Sequence, residues 1–120
     1  MEFASITRRR ACAAVALAIS APAALARTFP ERQVTLVVPG PAGGTPDIMA
    51  RQLAEQLRAE LGQPVLIDNR AGANGAIGVN AVARAQPDGH TLLMGFAQTM
   101  AIAPVTTRNL SYDPVADFAP

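Results

Sequence analysis

The stretch Gln33-Val34-Thr35-Leu36-Val37-Val38-Pro39-Gly40-Pro41-Ala42-Gly43-Gly44-Thr45-Pro46-Asp47 decides the fold. Its first half is a nearly continuous apolar run rich in β-branched residues, the pattern of a strand buried on both faces, as in a parallel sheet. The Pro/Gly segment then breaks the strand. Thr45 is a candidate helix N-cap, Pro46 suits the first helical position, and Asp47 complements the helix dipole in the first turn. Met49, Leu53 and Leu57, with Ala50, Ala54 and Leu61, recur at helical spacing. Gly62 is the expected stop, with Pro64 just beyond it.

The pattern then repeats. Val65-Leu66-Ile67 reads as a second buried strand, and Asn69-Arg70-Ala71-Gly72-Ala73-Asn74-Gly75 as a second Gly-rich loop. A second helix is expected over residues 77–85, with Ile77, Ala81, Val82 and Ala85 on one face. Pro87-Asp88-Gly89 makes a turn, with His90 read as a solvated turn residue. Thr91-Leu92-Leu93-Met94 is a third strand, and Gly95-Phe96-Ala97-Gln98-Thr99 a third loop. This βαβαβ order predicts an α/β fold with a parallel sheet. Ligands of such sheets bind beyond the carboxyl ends of the strands, where all three loops should meet.

Upstream, Arg8-Arg9-Arg10, an apolar run over residues 11–25 and Ala24-Leu25-Ala26 have the layout of a cleavable export signal, assigned to residues 1–26. The run is short of the roughly 20 residues that cross a bilayer. Either the general secretory or the twin-arginine route is open, the general route being the default. Cys12 leaves with the leader, so the mature chain has no thiol for a disulfide, a metal or nucleophilic catalysis. Loss of Arg8, Arg9, Arg10 and Glu2 turns the net charge of +1 into −1. No basic patch points to nucleic acid. The absence of any Lys excludes a Walker A loop.

Chemistry for catalysis is scarce. Beyond the leader there is one Ser (Ser111) with no elbow motif and one His (His90). The acidic residues are scattered, and no spacing brings Asp47 and Asp68 together as an acid–base pair. No catalytic residue, metal site or cofactor is expected. Binding is better served, because Gly-rich turns opening into helices can present peptide N–H groups to an anion at the positive end of the helix dipole. Tight βα turns would equally account for the glycines. A nucleotide-binding enzyme is the rival reading, but Gly72, Gly75 and Gly78 are spaced GxxGxxG rather than GxGxxG. No acidic residue follows the third strand to hold a ribose.

Four segments resemble one family. They are Val37-Val38-Pro39-Gly40-Pro41-Ala42-Gly43-Gly44-Thr45-Pro46-Asp47; Leu61-Gly62-Gln63-Pro64-Val65 with Asp68-Asn69-Arg70-Ala71-Gly72-Ala73-Asn74-Gly75; Ala85-Gln86-Pro87-Asp88-Gly89-His90-Thr91-Leu92-Leu93; and Leu110-Ser111-Tyr112-Asp113-Pro114 with Asp117-Phe118-Ala119-Pro120. In order and spacing they are similar to the tripartite tricarboxylate transporter substrate-binding proteins, the Bug or TctC family. The resemblance implies a periplasmic-binding-protein type II fold, in which two α/β domains close on a ligand. Residues 27–120 would be the N-terminal part of the first domain, in a truncated chain. It also implies a monomeric, periplasmic receptor, not an enzyme, that passes a small carboxylate to a membrane permease. A nonfunctional remnant of such a receptor is the further alternative.

In the family, the first two βα loops hold the ligand carboxylate through backbone amides and ordered water. Carried onto this chain, the site residues are Pro39, Gly40, Gly43, Gly44, Thr45 and Asp47 in the first loop. The second loop gives Arg70, Ala73, Asn74 and Gly75, and the third Ala97 and Gln98, with Thr99 in the same contact region. Asp47 and Arg70 have structural readings beside these: a first-turn helix residue and a loop brace. Two residues depart from the pattern: His90 stands where Tyr is usual, and Gln98 in a loop that is usually small and polar. Neither the ligand nor the permease is named by the sequence, and one lobe alone is expected to bind weakly or not at all and to be marginally stable.

Overall fold

The computed structural model describes residues 29–119; the proposed export signal, residues 1–26, lies outside them. Three parallel strands form one sheet: β1 (Val34–Val38), β2 (Val65–Asn69) and β3 (Thr91–Leu93), in the order β2-β1-β3. Helix α1 (Thr45–Leu61) links β1 to β2, and α2 (Ala76–Ala83) leads from β2 across to β3. The register sets Leu36 opposite Ile67 on one side and opposite Leu92 on the other. β1 is thus central and almost wholly buried, as its continuous apolar run requires.

Alternation along β1 divides the core. Leu36 and Val38 face the side of α1, where they pack with Ala50 and with Val65, Ile67, Leu92, Met94 and Phe96. Val37 therefore points to the opposite face, and α2, whose buried residues are Gly78 and Val79, packs on β1 and β3. The sheet-facing stripe of α1 runs through Asp47, Ala50, Ala54, Leu57 and Leu61, at alternating spacings of three and four. Alanines at its centre bring the helix close to the sheet.

Several sequence expectations shift. The α1 N-cap is Gly44, in extended conformation, not Thr45, because Thr45 already has helical geometry and Pro46 takes the next place. Gly62 closes α1 in the left-handed conformation (φ 65°), with its N–H donated to the Arg58 carbonyl, as expected. Met49 and Leu53 lie on the outer side of α1. β2 is an edge strand with Leu66 exposed, so it is buried less than its apolar run suggested. α2 ends at Ala83, and Ile77, placed on its inner face by periodicity, is 53% exposed. Gly78 takes the inward position because a bare backbone is needed there.

His90 is also not the solvated residue expected. It is buried, with its ring edge-on to Phe29 at 5.1 Å between centroids. Its N–H is capped by Asp88 Oδ1 at 2.9 Å, and its carbonyl accepts from Thr35 N–H at the start of the sheet. No helix among the described residues is long and apolar enough to cross a membrane.

Because Leu36 is 3% exposed in the core between the sheet and α1, Leu36→Ala should cost about 2–5 kcal/mol through lost burial and the cavity left behind. Urea unfolding followed by circular dichroism would report this as a lowered midpoint, or as loss of the cooperative transition.

Candidate functional site

The chain leaves β1 at Pro39, β2 at Arg70 and β3 at Met94, all at the carboxyl edge of the sheet. β2 and β3 lie on opposite sides of β1, so this edge includes the switch point at which open α/β sheets form a crevice. The three loops meet there around one open cleft of about 460 Å³. The first loop contributes Pro39, Gly40, Pro41 and, from the first turn of α1, Pro46. The second contributes Ala71, Gly72, Asn74 and Gly75. Phe96, Gln98 and Thr99 complete the lining from the third.

Glycine is what lets the loops come this close. Between β2 and α2 the chain makes a left-handed turn, with Ala73 at φ 46°, Asn74 at φ 54° and Gly75 at φ 90°. A Cβ on Gly75 would stand 2.7 Å from the Thr99 methyl and 3.2 Å from the Pro39 carbonyl oxygen. One on Gly78 would stand 3.0 Å from both Pro39 Cα and the Arg70 carbonyl oxygen. The spaced glycines thus fit the start of α2 against the end of β1 and the third loop. Their N–H groups do not all remain for a ligand. Gly40 donates to the Val38 carbonyl, Gly44 to Pro41, and Gly75 to Gly72.

Asp47 organises the first loop. Its carboxylate, buried at 2% exposure, accepts from Gly43 N–H at 2.8 Å and from Arg51 Nε at 3.0 Å. The Arg51 hydrogen bond, then the Gly43 amide, hold its carboxyl below the ordinary value of 3.8 despite burial. The Asn69 amide, at the end of β2, lies near enough to add a smaller pull. Even so, Asn69 Nδ2 and Asp47 Oδ1 are buried without a hydrogen-bond partner. Arg70 turns aside to Asp68, with Nε 2.8 Å from Oδ2.

The third loop is more ordered than its sequence suggested. Residues Gln98–Ile102 form a wide π-helical turn that runs into a short helix, α3 (Ala103–Thr106). Thr99, 2% exposed, starts it: its N–H and hydroxyl both donate to the Phe96 carbonyl. The Tyr112 hydroxyl donates to the Thr99 carbonyl at 2.6 Å. Burial raises the Tyr112 phenol above its usual value. Beside it, Asn80 Nδ2 of α2 donates to Ser111 Oγ at 2.6 Å. Asp113 Oδ1 folds the segment by accepting from Val115 and Ala116 N–H. The segment around residues 111–118 is therefore a strap over the third loop.

Of the residues singled out in the sequence, Pro39, Gly40, Asn74, Gly75 and Gln98 come together in the cleft. Gly43, Gly44, Thr45, Asp47, Arg70, Ala73 and Ala97 stand outside its lining. Gly43 and Asp47 bond each other, Arg70 braces Asp68, and Ala73 borders a separate hollow with Asn80 of α2 and Arg84 just past its end. Sequence reasoning placed Thr99 in the third contact region and Pro46 within the first loop without singling them out as ligand residues, and it missed Phe96. Their signal, a large side chain just past a strand and a proline on the first helical turn, reads equally well as packing. No group of three or more His, Cys, Asp or Glu among the described residues is placed to hold a metal.

Residues 49–120 match the family described as the tripartite tricarboxylate transporter family receptor. The chain belongs to that family. It is 42% identical to protein BugT of Bordetella pertussis over 103 residues, which is 85% of this chain and 31% of BugT. Among solved structures, the periplasmic binding protein BugD superposes with a TM-score of 0.73 at 47% identity, covering 77% of this chain and 30% of BugD. MatC from Rhodopseudomonas palustris, solved with bound malate, gives 0.74 at 43% identity, covering 77% and 31%. The fold is that of the first part of these periplasmic binding proteins, and the chain spans about a third of the length of the curated relatives it matches. The matched family is described as a receptor family, and BugD as a periplasmic binding protein.

Two outcomes follow from this geometry. Gly75→Ala should destabilise the chain by about 1–3 kcal/mol, since it adds left-handed strain to a clash with Thr99 and Pro39; denaturant midpoints would measure this. Asp47 contributes stability that is fully present above its unfolded value and is lost as pH falls through its lower folded one. Asp47→Asn should therefore lower thermal stability at about pH 7 and flatten the fall below about pH 4. Some slope should persist, because hydrogen bonds also lower Asp88, mainly from His90 N–H, and Asp113, mainly from Ala116 N–H.

Proposed function

We propose that this chain forms the ligand-facing part of the first lobe of a periplasmic solute receptor. It would capture a small carboxylate and deliver it, as a monomer, to a membrane permease of the tripartite tricarboxylate type. The observation that carries this reading is the single cleft shared by the loops after β1, β2 and β3. Family membership supports the receptor role, and the malate held by MatC supports the carboxylate. A leader over residues 1–26 fits the periplasmic location of such receptors.

The grip proposed for the carboxylate is uncharged. Gly40, Gly43, Gly44 and Gly75 spend their N–H groups inside the fold, which leaves the work to other donors. Those assigned here are the side-chain amides of Asn74 and Gln98, with peptide N–H groups of the turn over residues 71–74. Pro39, Gly40 and Gly75 shape the floor. Gly43, Gly44, Thr45, Asp47 and Arg70 act at one remove by fixing the loops, while Ala73 and Ala97 flank the donors. A carboxylate so placed exchanges water for several neutral donors without a buried ion pair and its desolvation cost.

Isothermal titration with a panel of mono-, di- and tricarboxylates tests the reading. One lobe encloses a ligand on one side only, so ordering costs are weakly offset. The 120-residue chain should bind at millimolar rather than micromolar concentration, and Asn74→Ala should weaken that binding further. No binding by any carboxylate up to tens of millimolar (roughly −2 kcal/mol at best) would remove the proposal's basis.

A further inference from the structure

Behind the first two loops, two buried polar atoms remain unpaired. Asp47 Oδ2 accepts both of that carboxylate's hydrogen bonds, from Gly43 N–H at 2.8 Å and Arg51 Nε at 3.0 Å. Asp47 Oδ1 and Asn69 Nδ2 are each closed off from solvent with no partner. An ionised carboxylate oxygen only accepts and an amide nitrogen only donates, so each supplies what the other lacks. Buried polar groups are nearly always paired, and these two can be paired only from inside.

The topology sets them on the same side of the sheet. Val65 and Ile67 pack against the core cluster under α1, and Asn69, two residues further along β2, shares their face. In register it stands beside Val38, which is fully buried on that face. The buried stripe of α1 lying over this face begins with Asp47, followed by Ala50 and Ala54. Asp47 in the helix's first turn and Asn69 at the strand's last position therefore meet at the carboxyl edge. The amide is close enough to favour the ionised carboxylate, after the larger pulls of Arg51 and Gly43.

Each residue also roots a different loop. Asp47 holds Gly43 of the first, and Asn69 precedes Arg70, whose N–H opens the second by donating to the Val38 carbonyl at 2.9 Å. We infer that Asn69 is a positioning residue: its Nδ2–H donates to Asp47 Oδ1 and so fastens the second loop to the first. The torsion that turns an asparagine amide is broad, so a small rotation seats this hydrogen bond without moving the strand. Neither residue lines the cleft. Resting on the receptor reading, the spacing of the two cleft walls is then fixed from behind, by one carboxylate with three donors.

The test is nuclear magnetic resonance on the labelled 120-residue chain. In the wild type, the Asn69 side-chain amide signals should shift with pH at the midpoint of the Asp47 carboxyl. In Asn69→Ala that midpoint should rise by about half a pH unit, because one donor to the charged form is gone. Amides of both loops, residues 42–44 and 70–75, should move together. An asparagine that merely fills space would leave the carboxyl's midpoint where it is. Asn69→Ser, too short to reach Asp47, serves if the alanine variant does not fold. Malate affinity should fall about threefold or more in the variant, since looser loops cost more to order on binding. Asn69 signals that ignore the Asp47 titration, or an unchanged midpoint in the variant, would overturn the inference. Unchanged malate affinity beside a raised midpoint would overturn the positioning role and leave the receptor reading standing. Malate that shifts no cleft amide in the wild type would overturn the receptor reading alone, with the two pH titrations still deciding the hydrogen bond.

Discussion

The structure turns on one close approach, the backbone of α2's first turn against the end of β1. Gly75 and Gly78 lie so near Pro39, Thr99 and the Arg70 carbonyl that no side chain fits between them. That contact joins three loops that are far apart in sequence. Without it the strands would still pair, but their loops would stand apart as separate turns. Parallel pairing of β2 and β3 with β1 brings the loops to one edge; the glycines close the gap between them.

Much of this was legible in the residues. The apolar run of β1, the proline and glycine punctuation and the repeated strand–loop–helix order gave the sheet and the shared rim, because burial and turn chemistry are local properties. The faces of the helices were harder. In α1, leucines and alanines recur at the same spacing, and only the sheet shows that Ala50 and Ala54 go inward while Met49 stays out. In α2, hydrophobicity favoured Ile77, but the decisive fact was steric: Gly78 had to face Pro39. A hydrophobic pattern ranks residues by their dislike of water and says nothing about how near a neighbouring backbone will come.

The candidate site shows the same division. That the loops converge follows from topology, whereas the fate of each N–H group does not. The first loop's amides looked like an anion cradle, yet Gly43 donates to a carboxylate of its own chain, Asp47. A negatively charged side chain in the first turn satisfies the orphan donors and the dipole at once, occupying the place an external anion would take. Arg70 has a similar history: as a lone basic residue in a binding loop it invites a ligand, but Asp68, two residues earlier, engages it instead.

The strap over the third loop reaches beyond its own hydrogen bonds. Tyr112 fixes the Thr99 carbonyl from thirteen residues away, and Ser111 meets Asn80 on α2. The wall that carries Phe96 and Gln98 is therefore not a self-contained module. Alterations in that wall and in the downstream tyrosine segment have to travel together, so a graft of one without the other would carry the letters of the wall without the support that gives it its shape.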